Sequence, residues 1–360
     1  MTRRTLALFA AAAVAVTAVG ACSGDDKEEV KKKAKAEPTT TTTAPPPPPV
    51  APLTGLPDVG GGLGRPALSV KIENSPDSRP QVGIEQADVV YEEVVEGGIT
   101  RFVVIFNSQV PANLGPIRSV RDMDPNIVWP LGGIFAYSGG APGPVAHISD
   151  APVNLVDESA TGTAMYRDRG RAAPHNLFGY GQALFDRGGQ PVPPPPLFPY
   201  LAAGEGWAAP EPVLQFRAGF QAGYDPTWTW DAATGTWKRS YGATPFMAAS
   251  GVQVAPQNVV VQFIEYPGYS DGKTIGGGDV MVFSGGNLIR GKWLRSGAEQ
   301  PAAFFDAAGN VIKLTPGQTW VELLPVGSAV DVVAAPPPPP PPPTEAPTTT
   351  TKKKKQAEDN

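Results

Sequence analysis

Ala87-Asp88-Val89-Val90-Tyr91-Glu92-Glu93-Val94-Val95, then Glu96-Gly97-Gly98-Ile99, then Thr100-Arg101-Phe102-Val103-Val104-Ile105-Phe106, is the stretch on which the fold turns. β-Branched and aromatic residues fill both arms, Gly97-Gly98 supplies a turn, and the arms match in length. The pattern predicts an antiparallel strand pair. Successive side chains of a strand point to opposite faces, so Glu92 and Glu93 cannot form a catalytic pair with each other. Either is placed to meet Arg101 across the hairpin in a structural role.

A third apolar run, 67–72, precedes this pair. Further along, Trp228 and Trp230 alternate with Thr227 and Thr229, turn residues occupy 231–235, and Trp237 resumes the pattern, which predicts a second hairpin. Runs at 258–264, 279–283 and 288–294 read as strands, the last two joined through Ser284-Gly285-Gly286-Asn287. Another hairpin is expected where Phe304-Phe305 and 311–314 flank 306–310, and a last strand at 320–324. Helical patterning is confined to 123–131 and 182–185. The fold class is α+β: two β-rich domains, mainly antiparallel, with few short helices. The break falls at 191–199, where Pro193 to Pro196 are consecutive. It places one domain at 52–200 and the other at 201–331.

Outside these lie segments of another kind. Arg3 and Arg4, an uncharged run at 6–19 and small residues ending Val19-Gly20-Ala21-Cys22 have the order of a secretory signal at 1–21. The apolar run is shorter than the roughly 20 residues that a membrane-spanning helix needs. The one cysteine of the chain stands directly after the cleavage site, which identifies a lipoprotein signal with acylation, including palmitate, at Cys22. The mature chain then has no free thiol, and disulfides, thiolate metal sites and cysteine catalysis are excluded. Residues 22–51, rich in charge, Thr and then Pro, read as a disordered tether, reaching between roughly 30 and roughly 90 Å. Residues 332–360 repeat that composition as a disordered Pro/Thr/Lys tail, whose lysine block at 352–355 reads as a solvated charge block or, alternatively, as a contact for anionic lipid or wall polymer. The expected location is the outer face of the cytoplasmic membrane, held there by lipid.

The stretch Gly83-Ile84-Glu85-Gln86-Ala87-Asp88-Val89-Val90-Tyr91-Glu92-Glu93 resembles the YerB-like bacterial lipoproteins. So do Gly115-Pro116-Ile117-Arg118-Ser119-Val120-Arg121, Ser138-Gly139-Gly140-Ala141-Pro142, Tyr166-Arg167 and Ala173-Pro174-His175-Asn176-Leu177, in that order. The second domain of that family is similar in Asn258-Val259-Val260-Val261, Gly276-Gly277-Gly278 and Leu314-Thr315-Pro316-Gly317-Gln318-Thr319-Trp320. The resemblance implies a lipid-anchored envelope protein with two domains of unknown function. It implies no reaction.

Charge narrows the chemistry. Residues 51–335 carry 18 Lys and Arg against 26 Asp and Glu, a net of −8, which argues against nucleic acid as a partner. Yet all nine basic residues between Ile72 and Trp237 are arginine, five of them Arg118, Arg121, Arg167, Arg169 and Arg171. Arginine presents a planar fork to phosphate or carboxylate, so the group is a candidate anion site. GC-rich coding and structural ion pairs are the competing explanation for it. Gly139-Gly140 and His175 join the candidates, provided the loops converge. Asp122 and Asp124 are the metal candidates; His147 and His175, the two histidines, read as satisfied loop or core residues. Gly60-Gly61-Gly62-Leu63-Gly64 and Gly276-Gly277-Gly278 lack the spacing of nucleotide loops, no nucleophile elbow is present, and no cofactor is expected. The reading is a binding module for an anionic envelope ligand, such as a cell-wall polymer, or for a partner protein. Its alternative is a metal-assisted enzyme on phosphorylated lipid-linked cell-wall glycans, since 118–122 resembles the arginine and aspartate pairing of LytR-CpsA-Psr wall-ligating enzymes, an analogy only.

Overall fold

The computed structural model describes residues 48–188, 190–220 and 223–336. Cys22, the signal and almost all of the expected tether and tail lie outside the described residues. In the first half the chain forms β1 (Leu68–Glu73), β2 (Val89–Val94), β3 (Thr100–Phe106), β4 (Asn113–Leu114), helix α1 (Asp124–Val128), β5 (Ile134–Tyr137), α2 (Pro142–Ile148), β6 (Asn154–Asp157), β7 (Met165–Arg167), β8 (Leu177–Tyr180) and α3 (Gly181–Phe185). The second half adds β9 (Glu211–Ala218), β10 (Pro226–Asp231), β11 (Thr236–Tyr241), β12 (Thr244–Pro245), β13 (Asn258–Ile264), β14 (Gly276–Ser284), β15 (Asn287–Arg295), β16 (Ala303–Asp306), β17 (Thr319–Pro325) and β18 (Val330–Ala334).

The expected β2–β3 hairpin forms in register, with Glu92 opposite Phe102 and Glu93 opposite Arg101. The Trp228 and Trp237 hairpin and the β14–β15 hairpin form as well. Pairing is mainly antiparallel, but β13, β17 and β2 run parallel, as do β1, β5 and β6. The β17–β2 contact has a large consequence: although 191–199 separates the halves along the chain, one sheet of 15 strands passes through both.

Alternation then sorts the side chains. Phe102, Val104 and Phe106 of β3 enter one core, while Val103 and Ile105 enter another on the opposite face. Every residue of β3 is buried, so its apolar run is that of a strand covered twice. Strands β9 to β11 fold back over the first face, where Phe216 stacks on Phe283 at 3.5 Å between ring centres and Trp228 meets Trp320 edge-on at 5.5 Å. Helices α1 and α2 contribute Ile127, Val128 and Ile148 to the second.

Two boundaries and one helix differ from expectation. The expected tail residues 332–334 belong to β18, which pairs with β9 because Val332 and Val330 have an apolar surface to meet there. Ala51, read as tether, is buried. Helix α2 was hidden by Pro142-Gly143-Pro144; Pro142 opens the helix, where its missing N–H costs nothing.

Arg239 joins the halves. It is fully buried, its Nη2 donates to Glu92 at 2.7 Å, and its guanidinium lies 4.3 to 5.7 Å from the ring centres of Phe246, Tyr241, Trp320, Trp228 and Phe102. Burial pulls its pKa down, but the surrounding groups, the Glu92 charge first among them, together outweigh this and hold it above the ordinary value. Glu322, opposite Glu92 on β17, is raised well above the carboxylate range, by burial first and then by the Glu92 charge. It keeps its proton and accepts from Trp228 Nε1 at 2.9 Å. Replacing Arg239 by Met is expected to destabilise the protein by about 3–5 kcal/mol in urea denaturation, because Glu92 is left buried and uncompensated. Adding Glu92→Gln restores most of the loss; a double variant no more stable than the single one disproves the account.

Candidate anion-binding site

Strands β1, β5 and β6 end side by side, and loops at the carboxyl edge of parallel strands are where open sheets place ligands. Glu73, the last residue of β1, stands opposite Arg101, which stands opposite Glu93 on β2, so the three form one row on one face. Glu73 is 2% exposed and Arg101 5%. Around Glu73 gather Ser75 Oγ at 2.8 Å, His175 Nδ1 at 2.9 Å and Arg118 Nε at 3.3 Å. The last is an ion pair without a well-aligned hydrogen bond, which leaves the Arg118 Nε–H free of an acceptor.

Arg121 lies beside them, its Nε donating to Glu96 at 2.8 Å and its Nη1 to the Val120 carbonyl at 2.8 Å. Arg101 Nη1 donates to the Ser119 carbonyl at 3.0 Å, while its buried Nε has no partner. Burial, then the charges of Arg121 and Arg118, pull the Arg101 pKa down to about 10. Three guanidiniums therefore repel one another at one corner. Glu73 and Glu96 offset that charge only in part, and two Nε–H donors lack acceptors.

Beneath the corner lies a second buried charge cluster. Lys71 donates to Glu93 and to Asp124, the latter at 2.7 Å, and all three side chains are fully buried. Asp124 also accepts from the Arg121 backbone N–H at 2.7 Å, which fixes the start of α1 under the corner. Burial and then the Asp124 charge, partly offset by Lys71, push the Glu93 pKa up to about 8.

The expected five-arginine cluster does not form one cleft. Arg118 and Arg121 share the corner, but Arg167 pairs with Glu158 at 2.6 Å and with Asn176 Oδ1 at 2.8 Å. Arg171 donates to the carbonyls of Ser78 and Pro80 and lies over the Phe178 ring at 5.1 Å, and Arg169 is exposed. Arg167 and Arg171 are thus used by acceptors of the fold, the structural alternative for them. Gly139, at φ 58°, donates its N–H to Asp157 at 2.6 Å, so Gly139 and Gly140 do not offer an anion two free amides. The metal candidates also separate: Asp124 is taken by Lys71, and Asp122 lies 2.8 Å from His147 Nδ1. Among the described residues no group of three His, Cys, Asp or Glu is arranged to hold a metal. Glu93 reaches Lys71 rather than Arg101, and Glu92 reaches Arg239. The residues missed were Arg101 and Glu73. Their signal was the β2–β3 register, which puts Arg101 opposite Glu93, but not the β1 register that adds Glu73.

Two successive family models match the chain. Residues 53–190 match the amino-terminal domain, and 216–321 the carboxy-terminal domain, of the family described as protein of unknown function (DUF3048). The chain belongs to this YerB-like family. The Bacillus subtilis (strain 168) protein named "Putative lipoprotein YerB" is 27% identical over 289 residues, covering 76% of this chain and 86% of that one. The crystal structure of YerB protein from Bacillus subtilis superposes with a TM-score of 0.69 at 23% identity, over 78% of this chain and 99% of its own, a likeness of fold. No helix among the described residues is long and apolar enough to cross a membrane.

The raised Glu93 pKa has a measurable sign. In the folded state Glu93 keeps its proton to about pH 8, whereas the unfolded chain releases it near 4.5. Stability therefore falls as pH rises between those values, by at most about 1.4 kcal/mol per unit. Glu93→Gln removes this slope, so the variant gains on the wild type between pH 5 and pH 8 in urea titrations. A gap that stays constant over that range contradicts the assignment.

Proposed function

We propose that this chain is an extracytoplasmic lipoprotein, acylated at Cys22, that binds an anionic component of the cell envelope at the corner formed by Arg101, Arg118, Arg121 and His175. The observation that carries this reading is Arg101: a buried guanidinium, crowded by two others, with an Nε–H that has no acceptor. Burying a charged donor without an acceptor costs free energy that a bound oxyanion recovers. Phosphate fits this chemistry best, since it accepts from several forks at once, and phosphorylated wall polymer is the class of ligand in view. The enzymatic alternative is not favoured, because Asp122 and Asp124 turn away to His147 and Lys71.

In calorimetric titration with inorganic phosphate and with a glycerol-phosphate polymer, Arg118→Ala and Arg121→Ala are each expected to weaken binding about tenfold, the loss of one charge-assisted hydrogen bond. Arg169→Ala, an exposed arginine away from these contacts, should have no effect. Equal affinity in all four proteins removes the site. The anchor is tested separately: cells fed labelled palmitate are expected to label the wild type and not Cys22→Ala, and an unlabelled wild type refutes acylation.

A further inference from the structure

Away from that corner, the second half carries a groove of about 700 Å³. Leu201, Trp207, Ala208, Ile289, Val311 and Ile312 supply its apolar wall. Trp207 is half-buried, held by its Nε1 donating to the Lys313 carbonyl at 2.9 Å, and Val311 is 50% exposed. Ion pairs stand at the rim, Lys313 with Glu205 at 2.5 Å and Arg290 with Glu211 at 3.2 Å. An indole fixed through its N–H, with small residues beside it, is the surface on which proline rings pack.

The exit of the chain points at this groove. In β18, Ala334 stands opposite Val213, and the Ala335 N–H donates to the Pro212 carbonyl at 3.0 Å. The antiparallel ladder is thus stepping toward Glu211 and the 207–209 segment of the groove wall as the described residues end at Pro336. The sequence continues as eight consecutive prolines, 336–343. A polyproline chain of that length spans about 25 Å at roughly 3.1 Å per residue and has no backbone N–H needing an acceptor.

We propose that the groove is the docking site for the chain's own proline run, residues 336–343. This rests on the groove and the exit register and is independent of the anion corner.

The test is hydroxyl-radical footprinting of the full-length chain, read by mass spectrometry at Trp207 and Val311. It is compared with a full-length chain whose residues 337–343 are replaced by a Gly-Ser sequence of equal length. Oxidation of Trp207 is expected to rise several-fold in the replaced chain and to fall again when a synthetic eight-proline peptide is added. Equal oxidation in the two chains overturns the proposal, and so does protection that persists after replacement, which would point to the other proline run at 45–49. Protection of the wild type that disappears on dilution also overturns it, since the occupant would then be a second copy. Circular dichroism of the replaced chain separates loss of docking from loss of fold.

Discussion

A guanidinium taken wholly out of water costs several kcal/mol unless charge and hydrogen bonds replace the solvent. At Arg239 the replacement comes from Glu92 on β2, from Tyr241 and from five ring faces on β3, β10, β11, β17 and the segment after β12. Glu322 adds a carboxyl that burial and the Glu92 charge hold toward its protonated form. The side-chain hydrogen bonds of Arg239 all leave from Nη2, to Glu92 and Tyr241, and the ring faces cover the rest of the guanidinium. The requirement binds the first half to the second more specifically than apolar packing does, since apolar surfaces tolerate shifts that a buried charge does not.

The adjacent Glu93 performs the corresponding task on the other face. Because alternation sends Glu92 and Glu93 to opposite sides, one strand serves two charge clusters, Arg239 on one face and Lys71 with Asp124 on the other. Asp124 accepts from the Arg121 backbone, so the buried cluster also positions the loop that carries Arg118 and Arg121. The loop at the carboxyl edge is thereby held by a scaffold beneath it, and Arg101 stands in register between Glu73 of the corner and Glu93 of the buried cluster.

Much of this was legible in local pattern. The β2–β3 hairpin, the Trp228 hairpin and β13 follow from β-branched alternation and turn residues, signals that act over a few positions. The opposite facing of Glu92 and Glu93 needed only the period of a strand. Helix α2 was not legible, because Pro142 and Gly143 read as breakers until their place at the helix start is known. Nor was the fate of the arginines: Arg167 and Arg171 are taken by Glu158 and by the Ser78 and Pro80 carbonyls, partners brought near only by folding.

What the sequence determined by itself is the family, the β-rich class, most strand positions and the sorting of side chains to faces, since each depends on residues close together in the chain. Tertiary structure alone decided that β17 runs beside β2, that one sheet crosses both halves, and that Arg101 joins Arg118 and Arg121 while Arg167, Arg169 and Arg171 do not. Those outcomes depend on pairings across tens to hundreds of residues, and a guanidinium takes whichever acceptor the fold brings within hydrogen-bonding reach.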